Sequence, residues 1–258
     1  MESQSSPRLP AVPEPVYSTI SKAADIAASP IWMLRWEADR FSPVGVFTIG
    51  GGLLRAQGAV ARDLFAASRL RLYTQGCTLL TLFATALYGA ILGSSVGPAQ
   101  VVPAAIKFPA VILASCGLCL PSFYIFQALA GARLTFQQAL AAVMMLGAAA
   151  GLILLACAPI VWFFSVSTEG DASAFVAGLN AMVIGVSVAF GFHFLTRTHR
   201  YTAWKYGERM FDLRVMALWF ALVLLVAAQM AHFIGPLDGE RGWLGTERGF
   251  FLAALFAV

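Results

Sequence analysis

Charge is what this chain of 258 residues has least of: Asp, Glu, Lys and Arg make up 12% of it, against 59% hydrophobic residues. A single water-soluble core of this size cannot hide so much apolar surface, which excludes an ordinary soluble domain and makes lipid part of the solvent. Cysteine occurs four times. Cys77, Cys116, Cys119 and Cys157 all stand in apolar runs, where a small polarizable side chain is an ordinary packing choice and no disulfide framework is implied. No glycine loop carries the Lys-Ser/Thr pair of a phosphate cradle, and neither paired carboxylates nor a nucleophile-histidine-acid pattern occurs, so the expectation is a non-enzyme without cofactor. The 17 Lys+Arg exceed the 13 Asp+Glu only slightly and form no basic stripe interleaved with aromatics, so nucleic acid is not an expected partner.

Long apolar runs, by contrast, are abundant. Five segments free of charge, near 73–94, 108–130, 136–164, 173–195 and 215–234, are each long enough at 1.5 Å per residue to cross about 30 Å of hydrocarbon. Pro109 suits the first turn of the second, where its missing N–H costs nothing, and Gly235-Pro236 closes the fifth. Before them, residues 1–16 hold Pro7, Pro10, Pro13 and Pro15 among Ser and Glu, a composition too polar to offset the entropy of ordering. Residues 17–72 mix apolar patches with charge, which predicts short amphipathic helices at the cytoplasmic interface, hinged at Gly50-Gly51-Gly52. The first long run starts only near Tyr73, so no cleavable signal is expected. Residues 236–258 are read as an extracytoplasmic segment ending in a short interfacial helix, since the apolar stretch from Gly249 to Val258 is too short to span.

Fourteen of the 17 basic residues fall on one side of this arrangement, in residues 8–71, at Arg133 and between 197 and 214; Lys107, Arg241 and Arg248 fall on the other. Lysine and arginine retained on the cytoplasmic face set topology. The fold class expected is therefore all-α: a polytopic five-helix membrane bundle, N-terminus inside and C-terminus outside, in the cytoplasmic (inner) membrane, with N-terminal interfacial helices.

Few residues suggest chemistry. Cys116-Gly117-Leu118-Cys119 puts two sulfurs on one helical face, but two ligands do not make a zinc site and apolar surroundings disfavour the thiolate. Cys116 and Gly117 are better read as a small-residue packing face, and Gly147 and Gly151 as another. His193 and His232 fall at opposite membrane levels; each alone could ligate a haem or pigment, but together they cannot clamp one. Asn180 and Gln229 suit interhelical hydrogen bonds. The connection 196–214, with Arg197, Arg200, Trp204, Lys205 and Arg209, is the candidate docking surface for anionic lipid or an acidic partner.

Lys107-Phe108-Pro109, Leu120-Pro121-Ser122-Phe123-Tyr124, Ala128-Leu129-Ala130-Gly131-Ala132-Arg133-Leu134, and Ala158-Pro159 leading to Phe163-Phe164-Ser165 together resemble the middle of bacterial Yip1-like membrane proteins. The resemblance covers the second to fourth spans and implies a five-helix bundle with an inside N-terminus. The acidic Asp-Leu-x-Gly-Pro element of the eukaryotic group has no counterpart here, so what is implied is architecture rather than a trafficking role.

Chemically quiet spans beside a long mixed-charge cytoplasmic segment point to a scaffold or accessory subunit that anchors a membrane assembly, with membrane lipids and protein subunits as partners. The alternatives are a channel, transporter or lipid-handling subunit for a neutral or amphipathic substrate, and a pigment- or haem-binding subunit. An ion-coupled carrier is disfavoured, because such proteins keep ionisable groups inside their spans.

Overall fold

A chain crossing hydrocarbon must satisfy its own backbone polar groups, and the α-helix does so within one segment. The computed structural model describes residues 33, 45–167, 173–207 and 210–234, and contains no strand among them. Two short helices, α1 (Val46–Arg55) and α2 (Gln57–Phe65), precede five long ones: α3 (Leu70–Val96), α4 (Val101–Leu129), α5 (Phe136–Ser167), α6 (Ser173–Tyr206) and α7 (Leu213–Ile234). All five long helices have the length and apolarity to cross a membrane. We call the end where α3, α5 and α7 begin the basal end. The tail 1–16 and the segment 236–258 lie outside the described residues.

The axis of the bundle is α5. Every residue from Ala141 to Gly151 is buried, because this stretch is mostly Ala, Gly and Met, small or pliable enough for neighbours to close in on all sides. Gly147 lies against Thr81, and Gly151 against Ala84 and Thr85, of α3. Gly191 of α6 comes against the Leu146 carbonyl. A second pair, Gly89 and Gly93, lets α3 approach the backbone of α4 at Gln100 and Ala104; it has the same spacing and escaped the sequence reading. On the far side of α4, Trp219 of α7 packs on Phe123, with ring centroids 4.5 Å apart.

Pro109 does not occupy a first turn. The helix α4 begins at Val101, so Pro103 takes that place and Pro109 lies inside. The extension carries Lys107, expected just outside the span, into the helix, where it is buried. Several hydroxyls in the spans are satisfied locally, Thr78, Thr81, Thr85 and Ser187 each donating to the carbonyl four residues back, while the buried Ser165 hydroxyl has no partner among the described residues. Between helices, the Tyr88 hydroxyl donates to Asn180 Oδ1, the role expected of Asn180.

The glycine run is not a hinge but part of α1. Gly50 sits against Leu80 and Leu152, and Gly76 against Ile49. Leu80 and Leu152 lie ten and sixteen residues beyond the starts of their helices, or about 15 and 24 Å. Along the bundle α1 reaches to the level of Leu80 and Leu152, because Gly50 and Gly52 expose no side chain to hold it off. Thr48 Oγ1 closes its start, accepting from Gly45 N–H at 2.8 Å and donating to Gly45 O at 2.6 Å.

At the basal end a single amide joins two helices. The Gln138 Oε1 accepts from Thr135 N–H at 2.8 Å while Thr135 Oγ1 accepts from Gln138 N–H at 3.3 Å, a capping box that starts α5. The Gln138 Nε2 group then donates to Leu64 O and Phe65 O, both at 3.0 Å, closing carbonyls at the end of α2. Gln138→Glu keeps the acceptor and loses the donors, setting a carboxylate against two carbonyls. It is expected to cost about 1–3 kcal/mol, more than Gln57→Glu on the half-buried side of α2, measured as the shift in SDS-unfolding midpoint in mixed micelles.

Candidate functional site

The basal end carries nearly all the charge. Of the described cations, Arg55, Arg62, Arg69, Arg71, Arg133, Arg197, Arg200, Lys205 and Arg214 lie toward it, and only Lys107 toward the other. The described acids are Asp63 and Asp212, and both serve the fold. Asp63 accepts from the Ser68 hydroxyl at 3.0 Å and the Tyr73 hydroxyl at 2.8 Å. These bonds hold the α2–α3 turn, in which Ala67 and Arg69 take positive φ of 54° and 56°, a cost of about 1–3 kcal/mol each. Asp212 caps α7, its Oδ1 accepting from Arg214 N–H at 2.9 Å and Val215 N–H at 3.1 Å.

The connection 196–214 is mostly helix, contrary to its reading as a loop. At 34 residues α6 is about 51 Å long, well beyond about 30 Å of hydrocarbon. Its last three turns carry Arg197, Arg200 and Lys205, and α2 holds them. Arg62 Nη1 donates to the Tyr201 hydroxyl at 3.2 Å. Phe65 stacks on Tyr206 with centroids 4.0 Å apart and planes at 4°. Tyr201 is buried in a cluster with Ala61 and Met33, and Trp204 packs against this cluster.

This packing divides the expected docking residues. Arg200 is exposed, while Arg197, Trp204 and Lys205 are half-buried. Trp204 serves the α2–α6 contact, and Lys205 Nζ stands 6.0 Å from the Tyr201 ring centroid and 5.6 Å from that of Tyr206, within cation–π range. Arg197, Arg200 and Trp204 share one face through their i, i+3, i+7 spacing. Arg209 lies outside the described residues.

The α6–α7 turn has its own ties, which the sequence reading missed. The Gln127 side-chain amide pairs with the Asp212 backbone, donating to its carbonyl at 3.2 Å and accepting from its N–H at 2.7 Å. His199 is buried, and its Nδ1 accepts from Phe211 N–H at 3.3 Å. With Phe211, Asp212, Leu213 and Arg214, His199 lines a shallow cleft of about 270 Å³. Asp212 was legible as an acid just before an apolar run, and Thr135-x-x-Gln138 as a capping box; Gln127 and His199 had no local signal.

The remaining candidates do not converge. Cys116 and Cys119 are buried free thiols, but Gly117 has nothing within 4 Å of where a Cβ would stand. It faces outward because the buried face of α4 runs through Ser115, Cys116, Cys119 and Leu120, so Gly117 is not a packing residue within the chain. His193 is exposed on α6, and the His232 side chain lies outside what is described. Among the described residues, no three His, Cys, Asp or Glu are grouped to hold a metal ion.

Fold and site together define a class: an all-α helix bundle with five membrane-spanning helices, an integral membrane protein. No protein family, curated protein or solved structure matches this chain.

Proposed function

We propose that this chain is a non-enzymatic scaffold or accessory subunit of the cytoplasmic membrane, N-terminus inside, which anchors a larger assembly through its basal face. The observation that carries this reading is the basic end of α6, held against α2 by Arg62–Tyr201 and Phe65–Tyr206. A docking surface on a braced helix loses little entropy when a partner binds. The concentration of cations at the basal end, retained inside by insertion energetics, supports the orientation. The rival reading as a channel or carrier needs an open path, and the buried run from Ala141 to Gly151 occupies the axis where one would lie.

Two measurements test this. Cys77, Cys116 and Cys119 are buried and Cys157 is half-buried, so with Cys157 replaced by Ala an impermeant maleimide applied to intact cells has little background; it is expected to label Ala99→Cys directly and Arg200→Cys only after permeabilisation. The reverse pattern would invert the arrangement. A photo-crosslinker at Arg200 is expected to capture one stoichiometric subunit in native membranes, and one at Leu118 on the lipid-facing side of α4 is expected not to. A monomer in mild detergent with no crosslink from Arg200 would overturn the scaffold reading.

A further inference from the structure

Four of the basal arginines differ from the rest. Arg69 and Arg133 are exposed as well but make contacts of their own, whereas Arg55, Arg71, Arg200 and Arg214 are exposed and no side chain among the described residues pairs with them. They stand on four different helices, α1, α3, α6 and α7. Each ends a stripe of exposed residues on its own helix. Above Arg55 come Gly51 and Phe47, the latter 83% exposed. Above Arg71 come Gln75, Leu79 and Leu82; above Arg214, Ala217 and Leu218; above Arg200, on the same face of α6, His193, Ala189 and Val186. The spacing is that of one helical face in every case.

We infer that these four arginines form a collar that binds the phosphate groups of anionic phospholipids. A guanidinium at the basal end of an exposed stripe, one to three turns beyond its apolar residues, stands at headgroup level when that stripe is in hydrocarbon, and the guanidinium fork matches phosphate in geometry. The described acids do not compete, since Asp63 and Asp212 are engaged inside the fold. A soluble acidic protein could reach one arginine, but not all four, on four different helices, without also covering the exposed stripes beside them. In a membrane those stripes meet lipid. The inference needs only the membrane and the charge; it shares Arg200 with the scaffold reading, and Arg55, Arg71 and Arg214 test it apart from that reading.

The test uses the full chain in a neutral detergent, titrated with mixed micelles carrying phosphatidylglycerol or phosphatidylcholine, with bound phospholipid phosphorus counted after gel filtration. Each arginine near an anionic surface contributes about fivefold to association, so phosphatidylglycerol is expected to be preferred by at least about tenfold. That preference should vanish in 1 M salt, where the screening length is about 3 Å. The quadruple variant R55Q/R71Q/R200Q/R214Q is expected to lose it at unchanged helical content by circular dichroism, and the corresponding quadruple Lys variant to retain most of it. Should the Gln variant not fold, single variants and the salt titration of the unmodified chain carry the test. Equal retention of the two lipids, or a preference that survives the four substitutions, would overturn the inference. So would binding of polyglutamate that phosphatidylglycerol fails to displace, which would assign the collar to an acidic protein.

Discussion

Trp219→Ala is expected to destabilise the bundle by about 2–4 kcal/mol, somewhat below the usual range for truncating a buried tryptophan in a soluble core. Trp219 is 1% exposed, its ring lies against Phe123, and its Nε1 donates to the Cys119 carbonyl at 2.8 Å. Truncation empties that volume and removes the bond at once. The loss is smaller than in water because lipid, not water, surrounds the separated helices, so what disappears is mainly packing and the hydrogen bond. Trp219→Phe separates the two contributions, keeping a ring against Phe123 and losing the donor, for about 0.5–1.5 kcal/mol. The check is the SDS fraction at half-unfolding in mixed micelles. An unmoved midpoint for the alanine variant would mean that α7 is not held to α4 through this residue.

The second large effect turns on a single methyl group. A Cβ at Gly89 would lie 2.5 Å from the Ala104 carbonyl oxygen, and one at Gly93 2.5 Å from the Gln100 carbonyl oxygen. Both obstacles are backbone, so α3 and α4 must separate. Gly89→Ala and Gly93→Ala are each expected to cost about 1–3 kcal/mol, the range for overpacking a tight contact. Their double variant should cost less than the sum, because the first separation makes room for the second. Gly117→Ala is the control. With nothing within 4 Å of its Cβ position, it is expected to be neutral or to stabilise by up to about 1 kcal/mol through helix propensity. If all three alanine variants unfold at the midpoint of the unmodified chain, the close approach of α3 and α4 is not present.

The spans were legible because hydrophobicity is a property of consecutive residues, and helix formation in lipid requires nothing beyond the segment itself. Their ends were less so. The sequence cannot tell which of Pro103 and Pro109 takes the first turn. Periodicity pairs Gly117 with Cys116, since it shows which residues share a face, but not where the neighbouring helix lies. The Gly50–Gly52 run illustrates the same limit. As local signal it reads as a break, and only Leu80 and Leu152, distant in sequence, make it the contact surface of a helix. At the candidate site, Arg200 stood out as an exposed cation in a basic stretch. The bracing by Arg62, Phe65 and Tyr201 did not, since it joins residues some 140 positions apart.

By itself, then, the sequence determined that this is an all-α protein with five membrane-spanning helices and that its positive charge gathers at one end, because transfer into hydrocarbon is decided residue by residue and segment by segment. Only the tertiary structure decided that α5 fills the axis, that α1 descends beside α3, and that the end of α6 is braced against α2. In lipid no hydrophobic force selects one helix partner over another. The choice falls to shape and hydrogen-bond geometry between distant segments, at Gly89 against Ala104 and at Gln138 against Leu64, and those matches exist only once the helices meet.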